Sequence, residues 1–342
     1  MSFGMSGASS NTSFAVRFRP MGPWRFGPDS GARDRVDLIY HSDAFYSAVC
    51  SAMSQLGLAD AWLEATATAS SPAVRFSSLF PFVGDTMFIV PPRSLWPPPE
   101  STKVRYKGAH FVPLPVIQAL LSDQAIDDDR WAVDGESECL TPSGSHGRGP
   151  FRVALRSSAG VDRLHHAGVE VHSTACLEFA RDAGLWTIVQ FADGDAAAQW
   201  EAPVRSALLL LADSGLGGER SRGWGRSEAP EWRPWTPPQA PALEQPIERA
   251  HWLLSLYTPA ENDSVDWKRG SYITVSRRGR IESSARWGEP KQPTTMIAEG
   301  SVLLAANELL GAASNVAPAG FPHPVYRSGF AVTVPIPWRV AA

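Results

Sequence analysis

The twelve residues from Gly215 to Arg226 hold five glycines and three arginines, in the order Gly215-Leu216-Gly217-Gly218-Glu219-Arg220-Ser221-Arg222-Gly223-Trp224-Gly225-Arg226. No regular helix or strand runs comfortably through such a stretch, because glycine gives up more backbone freedom on ordering than any other residue. The chain here must visit positive φ or pass very close to something. An apolar run before it, Val204 to Asp213, reads as a short helix that leads straight into Gly215. Arg220, Arg222 and Arg226 supply forked, charge-assisted donors suited to phosphate. Exposed backbone N–H groups add an anion nest, and Trp224 offers a face on which a base can stack. The plain alternative is a glycine-rich turn with solvated arginines. A nucleotide-triphosphate loop is excluded, since no Gly-Lys-Ser/Thr ending follows. A dinucleotide fold is excluded too, since no strand directly precedes the glycines.

The rest of the chain reads as strands with a few helices. Phe14, Val16 and Phe18 alternate within Ser13 to Arg19, which predicts a half-buried strand. Phe45, Val49, Met53 and Leu56 fall at helical spacing in Ser42 to Leu58, with Ser42 as the expected cap and Gly57 as the expected stop. Apolar patches surround Ser77-Ser78-Leu79-Phe80-Pro81, and residues 91–150 look like a Pro-, Gly- and acid-rich insertion, exposed over Asp123 to Gly149. Phe151 to Arg156, Val169 to Phe179 and Leu185 to Phe191 read as strands, the last two as a hairpin turning at Asp182-Ala183-Gly184. Further strands are expected at Trp252 to Tyr257, Tyr272 to Ser276, Ser301 to Leu304 and Gly329 to Val334. This is an α+β pattern. The order strand, helix, strands, helix, strand in the first two-thirds suits a split βαβ, ferredoxin-like unit. The expected division is a disordered tail at 1–12, a first domain at 13–228, a Pro/Trp-rich linker at 229–248 and a second domain at 249–342.

Bulk properties narrow the class without naming it. The formal net charge is −4 over 342 residues, so any nucleic-acid site is a local basic patch rather than a global property. Cys50, Cys139 and Cys176 form no CxxC pair, which argues against a zinc ribbon or a disulfide framework and fits a reducing cytosol. The start of the chain has no signal-peptide pattern, and the longest apolar run, Ala207 to Ala212, is far short of a membrane span. A soluble, cytoplasmic protein without a cofactor is the expectation.

Gly215-x-Gly217 followed after five residues by Gly223-x-Gly225 resembles the glycine-rich loop of the RAMP proteins of CRISPR systems. The fuller string with Arg220, Ser221 and Arg226 is similar to the type III branch. Four other segments resemble the Csm-type Cas5-like subunit of type III-A complexes. These are His41 to Ala48, Ser77 to Phe82, Val161-Asp162-Arg163, and His323-Pro324-Val325-Tyr326-Arg327. The resemblance implies two ferredoxin-like (RRM-like) domains and binding of the 5′ handle of the guide RNA (crRNA). It also implies docking to the large polymerase-like subunit and to the first backbone RAMP subunit. The RNA-binding residues expected on this footing are Gly215, Gly217, Gly218, Arg220, Ser221, Arg222, Gly223, Trp224, Gly225, Arg226, Arg163, His165, His166 and Ser42.

Other clusters have bland readings beside the sharp ones. His165, His166 and His172 lack a carboxylate or cysteine in register, so a metal site is not expected; RNA contact beside Arg163, or plain surface, remains. His41 with Ser42 and Asp43 suggests a catalytic group, yet sequence neighbours diverge in space and helix capping explains them better. Asp127-Asp128-Asp129 reads as a solvated acid run. Lys268, Arg269, Arg277, Arg278 and Arg280 form a second basic group, either an exposed hairpin face or a contact for RNA or a partner. Thirteen tryptophans, several beside prolines such as Trp96, Trp232 and Trp235, suit interface anchors or packing on the protein's own surface. The alternative function is a metal-independent RAMP endoribonuclease processing guide precursors, with His41, His165 or His166 as its acid–base group.

Overall fold

A computed structural model describes residues 12–28, 30–98, 104–144, 149–161, 169–240, 249–283, 285–286 and 288–338. The expected tail at 1–12 falls almost wholly outside them, as does the stretch 241–248. The first part of the chain runs β1 (Ser13–Phe18), α1 (Ser42–Gln55), α2 (Ala59–Thr66), β2 (Val74–Phe76), β3 (Phe80–Val83), β4 (Thr86–Ile89), β5 (Val112–Pro113) and α3 (Leu114–Leu121). It continues through β6 (Trp131–Val133), β7 (Leu140–Pro142), β8 (Phe151–Val161), β9 (Val169–Phe179), β10 (Ala183–Phe191), α4 (Gly194–Ser214) and β11 (Glu231–Pro234). The main sheet has the order β11-β1-β10-β3-β4-β5, with β2 also on β10, and every pairing in it is antiparallel. Four adjacent strands from its β11 edge, β11-β1-β10-β3, with α1 and α4 as connections, follow the split βαβ order. Aromatic contacts close the helix face. Phe18 meets Phe45 at 6.1 Å, Phe45 meets Phe76 at 5.3 Å, and Trp62 meets Trp200 at 5.3 Å.

Several local expectations change. β9 and β10 are consecutive but do not pair. β9 runs against β8 from Val161↔Val169 to Phe151↔Phe179, whereas β10 lies between β1 and β3. The reason is burial: Ala183 to Val189 is buried on both faces, as a central strand must be, so the turn at 180–182 carries the chain from one sheet to another. The helix read as starting at Val204 is 21 residues long and begins at Gly194, where the Asp193 carboxylate accepts the Ala196 N–H at 2.8 Å. Pro203 lies inside it and removes one helical hydrogen bond. The buried stripe of Trp200, Val204, Ala207, Leu208 and Leu211 holds the helix together across that point. Gly57 stops α1 at φ 73 as expected, but the N-cap is His41, not Ser42. Within the stretch read as a linker, Glu231–Pro234 form an edge strand on β1, and Trp232 packs edge-on to Phe14 at 5.6 Å. The expected exposed insertion is anchored by Cys139 and Leu140, both fully buried, with β6 paired to β7.

The C-terminal part contains β12 (Arg249–Leu253), β13 (Val265–Ser271), β14 (Thr274–Arg277), β15 (Thr294–Ile297), β16 (Val302–Ala305), β17 (Gly311–Asn315), β18 (Tyr326–Phe330) and β19 (Thr333–Pro337). Its sheet has the order β13-β16-β12-β19, the same relative order as the first. No helix occurs among its described residues. The β14–β15 and β17–β18 ladders fill its connections instead, and Phe330 of β18 reaches Tyr46 of α1 at 5.7 Å. One apolar cluster runs through both parts, joining Phe18, Phe80 and Trp186 to Trp252, Val302, Val334 and Ile336. The Trp252 indole N–H donates to the Val90 carbonyl at 3.2 Å, a contact across the join.

A continuous core predicts one cooperative unfolding event. Trp252→Ala should cost about 3–5 kcal/mol and lower a single shared transition in denaturant. Two separate transitions in wild type or variant would contradict this picture.

Candidate nucleic-acid interface

The glycine-rich loop begins where α4 ends and folds down on residues 20–26. Gly218 N–H donates to the Arg25 carbonyl at 2.8 Å, Gly225 N–H to the Pro23 carbonyl at 3.0 Å, and Leu216 N–H to the Gly225 carbonyl at 3.0 Å. Three of the glycines are demanded by this packing: a Cβ on Gly215, at φ 96°, would lie 2.5 Å from the Trp224 carbonyl oxygen. A Cβ on Gly217 would lie 2.3 Å from the Arg25 carbonyl oxygen, and one on Gly225 would lie 2.1 Å from that of Leu216. Both also sit at positive φ, 82° and 81°. The outer part of the loop, Arg220–Arg222, is a short 3-10 turn, with Ser221 exposed and Trp224 half-buried.

Each loop arginine already has an acidic neighbour. Arg220 Nη2 donates to both oxygens of Glu282 at 2.7 Å, which ties the loop to the C-terminal part. Arg222 lies 3.2 Å from Glu219, and Arg226 lies 3.4 Å from Asp213. All three guanidiniums stay between 35% and 47% exposed. Ion pairs of that exposure are worth about 0–1 kcal/mol, so they orient the arginines and leave them open to a stronger anion.

Beside the loop, the start of α1 is the centre of a buried polar network. Ser42 N–H donates to Ser78 Oγ at 2.8 Å, and Ser42 Oγ accepts the Leu256 N–H at 3.0 Å. His41 Nδ1 lies 2.8 Å from Glu299 Oε1, which also accepts from Ser78 Oγ. Asp43 receives Arg277 at 3.0 Å and 3.2 Å and has Arg327 at 3.7 Å. The three short segments around His41, Ser77 and Arg327 therefore meet at one place. Ser42 is 2% exposed and both its polar groups point inward, so its role here is to join the two parts. Burial disfavours the His41 imidazolium, but the Glu299 carboxylate outweighs it and the pKa is raised. Burial likewise opposes ionised Asp43, and the Arg277 guanidinium more than offsets it, leaving that pKa lowered.

A cleft of about 270 Å³ opens between these features. Its lining includes Gly217 and Gly218 of the loop, His41, Asp43 and Ser47 of the α1 region, and Arg277, Arg278, Arg280, Lys291 and Arg327 of the C-terminal part. Five cations face two carboxylates, Asp37 and Asp43, which makes it a positive site in an acidic protein. A larger hollow of about 520 Å³ lies at the base of β8 and β9, where Asp134, Glu136 and Glu178 offset Arg152 and Arg181. Charge, not volume, makes the smaller cleft the candidate.

The remaining expected residues are dispersed. Arg163, His165 and His166 lie outside the described residues, while His172 sits half-buried on β9. Among the described residues, no group of three or more His, Cys, Asp or Glu side chains is placed to hold a metal ion. Asp127 caps the turn after it through the Asp129 N–H at 3.1 Å. The second basic group divides: Lys268 and Arg269 are on exposed β13, whereas Arg277 is buried against Asp43. Lys291 and Glu299 escaped the sequence reading, because a lone lysine between prolines and a single glutamate in an apolar run carry no pattern.

Residues 248–336 match the family model described as the CRISPR Csm4 C-terminal domain. No curated protein matches the chain. A chain in the crystal structure of a Csm3-Csm4 subcomplex in the type III-A CRISPR-Cas interference complex superposes with a TM-score of 0.62 at 15% identity, covering 95% of this chain and 99% of that one. Chains in crystal structures of the Csm1-Csm4 cassette in complex with cA4 and with pppApA superpose at TM-scores of 0.59 and 0.57. Each is 18% identical and covers 96% of this chain and 98% of its own length. The chain is thus Csm4-like in fold along nearly its whole length, and in sequence over its C-terminal part. No helix among the described residues is long and apolar enough to cross a membrane.

Two outcomes test this geometry. Gly225→Ala should destabilise the protein by more than an ordinary surface change, about 1–3 kcal/mol, and the loop's hydrogen exchange should rise. His41 has a pKa raised above its ordinary 6.5, so its pairing with Glu299 stabilises fully below that value and is lost as pH climbs through the folded pKa. Glu299, whose pKa is lowered from 4.5, contributes above that value and fails as pH drops through its folded pKa. The thermal midpoint should therefore fall on the alkaline side of pH 6.5, and His41→Gln should flatten that fall. An unchanged alkaline limb in the variant would refute the assignment.

Proposed function

We propose that this Csm4-like chain is the non-catalytic subunit that holds the 5′ handle of the guide RNA in a type III CRISPR effector complex. In this reading residues 13–234, which include β11, and 249–342 are two RRM-like units. The large polymerase-like subunit and the first backbone subunit are its partners, as the pairings named for the similar Csm1-Csm4 and Csm3-Csm4 structures suggest. One observation carries the reading: the glycine-rich loop, with three reachable arginines, borders a positive cleft in a chain that is Csm4-like in fold over 95% of its length. RNA phosphates are the natural ligand of such a surface. Within the glycine-rich loop, Gly217 and Gly225 serve its tight folding. Arg220, Ser221, Arg222, Trp224 and Arg226 are its outward groups for RNA, joined by Arg163, His165 and His166, which lie between β8 and β9 in the sequence.

Catalysis is not part of the proposal. Among the described residues His41 is the imidazole lining the cleft; it is held by Glu299 in a network that joins the two parts of the chain, which leaves it poorly placed as an acid–base group.

Replacing Arg220, Arg222 and Arg226 together with Ala should weaken guide-RNA binding and flatten its dependence on salt in a filter-binding titration. The same variant should still co-elute with the large subunit after co-expression. Unchanged affinity and slope would overturn the RNA role, and separate elution of the wild-type pair at micromolar concentration would overturn the assembly role.

A further inference from the structure

Lys291 is a cation of the cleft wall whose side-chain contact among the described residues is a hydroxyl rather than a carboxylate. Its ammonium reaches Ser47 Oγ at 3.4 Å, which is long for a hydrogen bond. Among the described residues no carboxylate lies within ion-pair distance of it. Arg277 and Arg327 beside it are already committed to Asp43. Burial, and next the charge of Arg327, push the Lys291 pKa down, so the charged form is held at a cost to the free protein. Asp43 favours its charge only in part, and a part-buried cation at the wall of a cleft, with no carboxylate at ion-pair distance among the described residues, is suited to an anion arriving from outside.

Gly218 supplies the second observation. Unlike Gly217 and Gly225, it has no internal need to be glycine. Its φ is outside the left-handed region, and an added Cβ would meet only Arg25, at an ordinary 3.5 Å or more. It lines the same cleft as Lys291. Bare backbone there keeps the cleft open to a close approach from its solvent side. The volume of about 270 Å³ admits a phosphate with its sugar, not a run of stacked bases.

We propose that this cleft is a single-phosphate site on the RNA path, with Lys291 donating to one backbone phosphate and Gly218 letting that phosphate come close. The proposal rests on the RNA-binding reading above and adds a residue pair to it. The site joins the two parts of the chain, since Gly218 follows α4 and Lys291 precedes β15. An RNA backbone that reaches it therefore touches both.

The test uses the full chain and a short single-stranded RNA, titrated at several salt concentrations. Lys291→Met should bind about ten-fold more weakly, and its log–log salt slope should be smaller by about 0.7. Its thermal midpoint should equal or exceed that of the wild type, because a buried charge has been removed. Gly218→Val should also bind more weakly at an unchanged midpoint. If both variants bind with wild-type affinity and slope while the triple-arginine variant is weakened, the phosphate site is wrong and the RNA reading stands. If none of the three variants changes binding, the RNA reading itself falls. A lowered midpoint for Lys291→Met with an unchanged slope would mark Lys291 as a structural residue and overturn the proposal.

Discussion

Everything at the centre of this molecule depends on one carboxylate. Asp43, in the first turn of α1, is buried between two guanidiniums that come from the C-terminal part, Arg277 and Arg327. Taking any of these charges out of water is costly, and the arrangement survives only because the partners satisfy one another. Removing one member of such a group strands the others and costs about 3–5 kcal/mol. The consequence is positional as much as energetic. The pair Arg277–Arg327 cannot slide along α1 without losing its counter-charge, so β14 and β18 are held in fixed relation to the helix. The apolar core joins the two parts by area, which is tolerant of small shifts. The polar seam joins them by geometry, which is not.

That division of labour explains the cleft. Its floor is the saturated network of Asp43, Arg277 and Arg327, and its rim carries charges that the network leaves over. The glycine-rich loop is pressed against the opposite segment at 20–26 by backbone contacts too close for any side chain. The packed loop, the start of α1 and the β14–β15 ladder thus converge on the cleft through contacts within the chain itself. Preorganisation of this kind lowers the entropy lost when an extended chain such as RNA is bound.

Local patterns in the sequence were legible to the extent that they were local. Period-two alternation found β1 and β8, helical spacing found α1, and the glycine and arginine density found the loop. The glycine loop was read for a ligand, yet Gly217 and Gly225 answer to Arg25 and Leu216, a packing demand no single segment displays. Pro203 hid the first half of α4, because a proline reads as a stop and only the buried stripe beyond it says otherwise. The pairing of β10 with β1 and β3 rather than β9 is decided by burial on both faces, a property of the whole sheet. The motifs at His41, Ser77 and Arg327 stand far apart in the sequence, each carried by resemblance alone. That they are one network was invisible, since their meeting is a fact of tertiary contact. Lys291 has no signal in the sequence: its place at the cleft wall, beside Arg277 and Arg327, is set by tertiary contact.

The acids beside the loop arginines change what salt can do. Glu282, Glu219 and Asp213 act as resident counter-ions, covalently part of the protein and unable to diffuse away. In the proposed role, RNA that took over an arginine would displace a tethered carboxylate instead of freeing a mobile ion to the solution. The entropy of ion release, which makes most nucleic-acid binding collapse at high salt, is then only partly available to these three residues. A surface built this way trades raw attraction for selectivity. Loose polyanions gain little from it, and a strand must offer contacts good enough to outbid a neighbour already in place.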